Sequence, residues 1–154
     1  MADRAGSVDT SVPVRIVFLG GLGEIGRNCM AIEQGAADDP NRTIMLIDCG
    51  LMFPEANMHG VDLILPDFTY LRENANRIQA LVLTHGHEDH VGAIQYLLRD
   101  HDGIGDLRDD PLPIYGSKLA LGIARNRIEE AGLMPTTDMR SVADGETSEI
   151  GALL

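Results

Sequence analysis

Three of the five histidines, His85, His87 and His90, fall within six residues, and Glu88 and Asp89 separate the last two. Neutral imidazoles and carboxylates are ordinary ligands for zinc and its first-row neighbours. In an extended loop, His85 and His87 at i and i+2 point the same way and can share one ion. Asp89 and His90 follow as the chain turns and can reach a second ion beside the first. Gly86 leaves room between the first two ligands. Two cations side by side acidify a shared water and neutralise charge building on a phosphate, so the chemistry indicated is hydrolysis. The competing reading is a polar loop that is merely rich in histidine. It leaves the elements on either side of the loop without explanation.

Those elements are what must hold the histidines in place. Ala80 to Leu83 is a short apolar run that reads as a buried strand. Val91, Ile94, Leu97 and Leu98 share one face of a helix expected over 91–99. The histidines therefore sit on a strand-to-helix loop, where a rigid scaffold places functional side chains. Upstream, Val14 to Leu19 reads as a buried first strand and Ile44 to Ile47 as another, ending at Asp48. Asp48 has two readings of equal weight. Its carboxylate could orient a metal-ligating imidazole from outside the ligand set, or it could cap a turn at Gly50. Cys49 reads as a small buried residue rather than a thiolate ligand.

The rest of the chain alternates in the manner of an α/β fold. Residues 36–41 form a turn, and residues 50–66 form a long connection. Asp67 can cap a short helix over 68–76, and Arg77 leads into the strand before the histidines. Leu112 to Tyr115 is a strand, and Ser117 is an N-cap for a helix over 118–131 that ends at Gly132. Met139 to Ala143 and Thr147 to Ile150 read as strands joined through Asp144-Gly145. In the acidic loop after the second helix, His101 and its aspartates could form a further metal site. A solvated loop is the preferred reading there.

One pattern points elsewhere. Gly21-x-Gly23-x-x-Gly26 follows a strand, and Asp48 stands about twenty residues on. That is the form of a dinucleotide-binding fingerprint. The segment after Gly26 fits neither helical nor strand period cleanly, so the local pattern leaves this open. A dinucleotide site would not explain the clustered histidines.

Composition bounds these readings. The 154 residues, 44% hydrophobic, suffice for one domain with a core. Residues 1–13 are small and polar and are expected to be a disordered tail, with the domain over 14–154. They show no basic start followed by an apolar core, so no secretory signal is read there. No apolar run approaches the roughly 20 residues of a membrane span. Two cysteines, Cys29 and Cys49, suit a reduced pair in the cytoplasm better than a disulfide framework. The net charge of −12 argues against a protein that coats nucleic acid through a basic patch. It leaves room for a nuclease that grips RNA through metals and a few arginines.

Several blocks recur in one order. They are Gly20-Gly21-Leu22-Gly23-Glu24-Ile25-Gly26, Ile47-Asp48-Cys49-Gly50, Phe53-Pro54-Glu55, Ile64-Leu65-Pro66-Asp67, Thr84-His85-Gly86-His87-Glu88-Asp89-His90 and Pro113-Ile114-Tyr115-Gly116-Ser117-Lys118-Leu119. His85-x-His87-x-Asp89-His90 resembles the signature of the metallo-beta-lactamase fold. The ordered set, from about Val14 to Leu133, resembles the N-terminal part of the ribonuclease J family of beta-CASP-type RNA hydrolases.

This resemblance implies a four-layer αββα sandwich, of which the chain would be the first half, truncated. It implies a cytoplasmic exo- or endonuclease that hydrolyses RNA phosphodiesters, with two zinc ions per full-length chain, manganese being possible in their place. His85 and His87 would hold one ion, Asp89 and His90 the other. Asp89 would also be catalytic, hydrogen-bonding the nucleophilic water. Backbone carbonyls of His59 and Val61 would contribute to a structural calcium site. RNA and further copies of the same chain would be the partners.

The family draws a further histidine, a bridging aspartate and a last histidine from downstream sequence. The chain is therefore expected to be an N-terminal fragment, weak in metal binding and inactive alone. Other readings are a different hydrolase on the same fold acting on a small ester, thioester or lactam, a piece that only binds partners, and the dinucleotide-binding domain.

Overall fold

The computed structural model describes residues 11–99 and 103–150. Most of the expected tail, His101 with its neighbours, and the last four residues lie outside the described residues. Six strands form one mixed sheet in chain order: β1 (Val14–Gly20), β2 (Cys29–Gln34), β3 (Thr43–Ile47), β4 (Ile78–Leu83), β5 (Leu112–Gly116) and β6 (Thr137–Ser141). The first three are antiparallel neighbours, and β3 to β6 run parallel.

The antiparallel start settles the glycine pattern. In a dinucleotide fold, the glycine loop opens a helix and the chain crosses over to a parallel strand. Here residues 21–28 turn straight back into β2, which pairs antiparallel with β1 in the register Val17 to Ala31. The chain is strand from Cys29 on, where a dinucleotide fold would have helix, so the dinucleotide reading is corrected by topology. Gly21, Gly23 and Gly26 all have φ between +76° and +119°, the left-handed side that glycine reaches without steric penalty.

Parallel neighbours need crossovers, and each parallel crossover carries helix. They are α1 (Thr69–Glu73) before β4, α2 (Glu88–Val91) and α3 (Ile94–Leu98) before β5, and α4 (Lys118–Glu130) before β6. Crossovers of one hand that step along a sheet in one direction place their helices on the same face. That face is the core. Ala31, Leu46, Leu81 and Ile114 lie in register across it and pack against Leu71, Ile94, Leu97, Leu98, Ala124 and Ile128.

Strand β1 is not buried, as its apolar run had suggested. It is an edge strand with Val14, Ile16 and Phe18 exposed. All three lie on the sheet face opposite the helices, and Ile16 and Phe18 head apolar rows there. One row runs Phe18, Met30, Ile47, Val82, Tyr115 from β1 to β5. No helix of the described residues lies on that face.

Three local expectations are also corrected. The helix expected over 91–99 is two short helices, and the first begins earlier, at Glu88. Leu51 packs where a Cβ on Gly92 would sit, 2.6 Å away, so the chain passes close to its neighbour at the break. The helix expected over 68–76 covers only Thr69–Glu73, followed by a 3-10 turn over Ala75–Arg77. Residues 147–150 form no strand; β6 is the sheet's edge, and they find no partner among the described residues. Ser117 caps α4 as its type predicts, accepting from the Ala120 N–H at 3.2 Å.

Candidate metal centre

Strand β4 ends at Leu83, and the histidine loop starts at the carboxyl edge of the sheet. In open α/β sheets this edge is where ligand sites collect. His87 is the N-cap of α2, in extended conformation, so the loop enters its helix between His87 and Glu88. Asp89 and His90 are therefore helical residues, half-exposed, on the first turn of α2.

The structure brings the three rings together. The His85 and His87 ring centroids lie 4.6 Å apart, and those of His85 and His90 lie 4.0 Å apart. Asp89 Oδ2 is 3.3 Å from His90 Nε2.

Asp48 is buried, and its φ of +60° is a left-handed conformation that few side chains adopt. That backbone turns the carboxylate across the end of β4. It accepts the Thr84 N–H at 2.8 Å and the Thr84 hydroxyl at 2.8 Å, and it meets His90 Nδ1 at 2.7 Å. A carboxylate only accepts, so His90 Nδ1 carries the proton and Nε2 presents its lone pair. The Thr84 hydroxyl spends its one proton on Asp48. It therefore accepts from His85 Nδ1, 3.0 Å away, which leaves His85 Nε2 bare as well. One buried carboxylate thus fixes two tautomers, directly and through a hydroxyl. Of the two sequence readings of Asp48, the imidazole contact is present in the structure.

Three segments are tied around the loop by backbone hydrogen bonds. Cys49 N–H donates to His90 C=O, Leu51 N–H to Glu88 C=O, Ala93 N–H to Cys49 C=O, and Asn28 N–H to Asp89 C=O, all at 2.8–3.1 Å. The fit at Gly50 is so close that a Cβ there would stand 1.6 Å from the Asp89 carbonyl oxygen.

Asn28 is the residue that sequence reasoning missed. Its side-chain amide nitrogen lies 3.0 Å from Asp89 O, 3.1 Å from Asp89 Oδ2 and 3.2 Å from His90 Nε2. Its position two residues after the last loop glycine was the only available signal, and the local pattern there was ambiguous. Glu88 turns away from the rings and pairs with Arg127 of α4, as befits a residue with no assigned chemical role. Cys49 is fully buried beside Cys29, and both are free thiols. Burial, together with the Cys29 contact, pushes the Cys49 thiol well up, away from the thiolate that binds metal.

His59 and Val61 stand on an exposed turn of the long connection, where Val61 N–H donates to Met58 C=O. Among the described residues, no three His, Cys, Asp or Glu side chains close into a ready metal cradle. The chemistry of the donor set nevertheless fits a divalent cation. Neutral imidazoles and a carboxylate share one loop, two of the rings have fixed tautomers, and a buried acid lies behind His90.

Comparison with known proteins agrees with this geometry. The family model described as the metallo-beta-lactamase superfamily matches residues 22–124. The chain belongs to the metallo-beta-lactamase superfamily. The match spans the glycine loop from Leu22 onward, Asp48, the histidine loop and the first half of α4. Among curated proteins, the chain is 44% identical over 139 residues to ribonuclease J of Synechocystis, covering 90% of this chain and 19% of that one. It is 41% identical over 139 residues to ribonuclease J of Thermus thermophilus, covering 90% and 22%. It is 40% identical over 129 residues to ribonuclease J2 of Bacillus subtilis, covering 84% and 20%. The chain thus spans about a fifth of the length of these relatives.

Proposed function

We propose that this chain forms the metal-bearing N-terminal part of a ribonuclease of the J type, hydrolysing RNA phosphodiesters. The observation that carries the reading is the hydrogen-bonded set Asp48–Thr84–His85 with Asp48–His90, which aims bare ring nitrogens from one loop. The likeness to three ribonucleases J over most of the chain selects RNA ahead of small esters, thioesters and lactams.

His85 and His87 would hold one ion, and Asp89 and His90 a second, with zinc the proposed metal and manganese the alternative. Bound there, the cations acidify a water and offset the charge that builds on the phosphate. The chain's own part is positioning. Asp48 keeps His90 in one tautomer, Thr84 does the same for His85, and Asn28 holds the Asp89 main chain against the loop. Asp89 Oδ2 faces Asn28 and His90, and its carboxylate can accept a hydrogen bond from a water. Calcium at the His59 and Val61 carbonyls, self-association and a cytoplasmic location belong to the same proposal. No helix of the described residues is long and apolar enough to cross a membrane.

Four side-chain donors are about half of what two ions ask for, since each takes about four ligands including solvent and shared groups. The isolated chain should therefore bind metal weakly and leave RNA intact. A chimera tests the reading directly. The chain replaces its matched region in the Synechocystis ribonuclease J, and cleavage of 5′-monophosphorylated RNA is measured with metal content. Metal-dependent cleavage is expected, falling at least 100-fold in His85→Ala and Asp89→Ala. Undiminished cleavage in both variants would remove the histidine loop from the reaction.

A further inference from the structure

The histidine loop carries two adjacent carboxylates, Glu88 and Asp89, and both line one cavity beside the glycine loop. Carboxylate oxygens are ordinary metal ligands, so by residue type either could serve an ion there. Their surroundings differ. Asp89 Oδ2 stands 3.3 Å from His90 Nε2, whereas Glu88 Oε1 is taken by the Arg127 guanidinium. Arg127 lies 39 residues further along the chain, so tertiary packing separates the two acids.

Helix α4 backs the loop along one stripe. Ala120, Ile123 and Arg127 stand at i, i+3 and i+7, positions that share a helix face. A Cβ on Gly86, between His85 and His87, would stand 2.6 Å from Ile123 Cδ1 and 3.6 Å from Ala120 Cα. Arg127 continues the stripe to Glu88. The loop is therefore set against α4 on both sides of His87. A glycine gives the second Glu88 oxygen its room. A Cβ on Gly92 would stand 2.7 Å from Glu88 Oε2, and a bare Cα lets the carboxylate lie back along α2.

Stability does not account for this pair. The two side chains are 29% and 41% exposed, and ion pairs so open to water contribute little. Arg127 Nε is buried without a hydrogen-bond partner among the described residues, which is itself unfavourable. Glu130, one turn further along α4, lines the same groove as Arg127, yet the pair forms with Glu88. The pair's effect is to direct a carboxylate.

We infer that Arg127 is a positioning residue of the metal centre, which withdraws Glu88 from the ligand set and leaves Asp89 as the loop's carboxylate donor. The inference rests on the metal-binding reading of the histidine loop. Released from Arg127, Glu88 can turn through its side-chain torsions into the cavity that it shares with Asp89. The donor set then gains oxygen. Imidazole suits zinc and carboxylate suits manganese, so the preference of the loop moves toward manganese. Arg127 thus sets metal choice through a residue that is not itself a ligand.

Metal preference is the readout. The chain is titrated with Mn²⁺, followed by water-proton relaxation, which registers even weak binding, and Zn²⁺ is then added as competitor. The ratio of the two affinities is compared, because losing a positive charge strengthens the binding of both divalent ions and cancels in the ratio. Arg127→Met keeps the aliphatic stem and removes the charge. The ratio should move toward Mn²⁺ about tenfold, the lower end of the effect of altering a partner outside the ligand set. Glu88→Gln should leave the ratio within about twofold of the parent, since Glu88 is already withdrawn. Arg127→Lys should do the same, by keeping a cation for Glu88. The double variant Arg127→Met with Glu88→Gln should return to the parent's ratio. Unchanged amide spectra establish that the fold is intact, and Arg127→Gln carries the same test should the methionine variant lose it.

The inference is overturned if removing the Arg127 charge leaves the ratio within about twofold of the parent. It is overturned equally if the double variant keeps the shift, which would make the effect one of packing. Glu88→Gln alone moving the ratio as far as Arg127→Met would also overturn it, since Glu88 would then already be a ligand. The metal reading fails by a separate signal. A parent chain that binds neither ion removes that reading, and the role of Arg127 with it.

Discussion

Asp48 is a charged residue in the core, in a conformation that disfavours it, and three hydrogen bonds account for its presence. A buried carboxylate without partners would be strongly destabilising. Here Thr84 supplies two donors and His90 the third, so the group is satisfied and the imidazole is fixed in the same act. Asp48→Asn is the informative change. Asparagine tolerates left-handed backbone about as well as aspartate does, so the fold should survive. Its carbonyl can still accept from Thr84 N–H, but the negative charge behind His90 is gone. Metal affinity, measured by competition with a chelator in the chimera, should fall about 10- to 100-fold, the usual effect of removing a partner behind a metal-ligating histidine. An unchanged affinity with an unchanged melting temperature would reduce Asp48 to a turn-capping residue.

At the scale of elements, a second buried carboxylate fastens the sheet to α1. Glu33 on β2 is 1% exposed. It accepts from the Tyr70 hydroxyl and pairs with Arg15 at 2.8 Å and Arg42 at 3.3 Å. Burial pushes its carboxyl up, but the Tyr70 and Arg15 hydrogen bonds and the two guanidinium charges outweigh burial and hold it below the ordinary glutamate value. A carboxyl depressed in the folded state contributes stability above its unfolded pKa, about 4.3. That contribution is lost as pH falls through the lower folded value. Glu33→Gln should therefore cost about 1.5–3 kcal/mol at neutral pH, in the range for hydrogen bonds to charged groups. Its melting temperature should also fall less than the parent's between pH 5 and pH 3. Parallel acid limbs for the two proteins would show that Glu33 adds nothing specific to acid sensitivity.

At the scale of the whole molecule, the sheet has one face under helices and one face bare. Phe18, Met30, Ile47 and Val82 make a continuous apolar row across four strands, with Ile16, Ile32 and Met45 beside it, while Tyr115 at its far end is buried under Arg140. Soluble monomers rarely leave a contiguous apolar patch of that extent uncovered. In an αββα sandwich this face meets a second sheet. Alone, the chain should bind a hydrophobic dye and self-associate, by light scattering, at micromolar concentration. Ile16→Glu with Phe18→Glu should reduce both, since each side chain is half or more exposed and its loss leaves the helix-covered core untouched. Dye binding unchanged in the double variant would place the sticky surface elsewhere.

The sequence by itself determined the parts whose signals are local. The histidine loop, the buried strand before it, the apolar face of Val91, Ile94, Leu97 and Leu98, and the Ser117 cap could all be read from spacing and residue type. Each depends on a period or a cap within a few residues of the chain. Tertiary structure decided what depended on distant segments. Phe18 and Leu46 are both apolar strand residues, and only the assembled sheet turns Leu46 to the helix-covered face and Phe18, on the edge strand, to the bare one. The glycine loop carries a dinucleotide pattern, and only the antiparallel return of β2 removes that meaning. Asp48 could have capped a turn; what sets its contact is the parallel pairing of β3 with β4, which brings the end of one strand beside Thr84 at the end of the other. Asn28 came to the site because β2 passes beside the Asp89 main chain, 61 residues away along the sequence. A contact of that span leaves no mark in local periodicity, because the residues that make it become neighbours only when the sheet assembles.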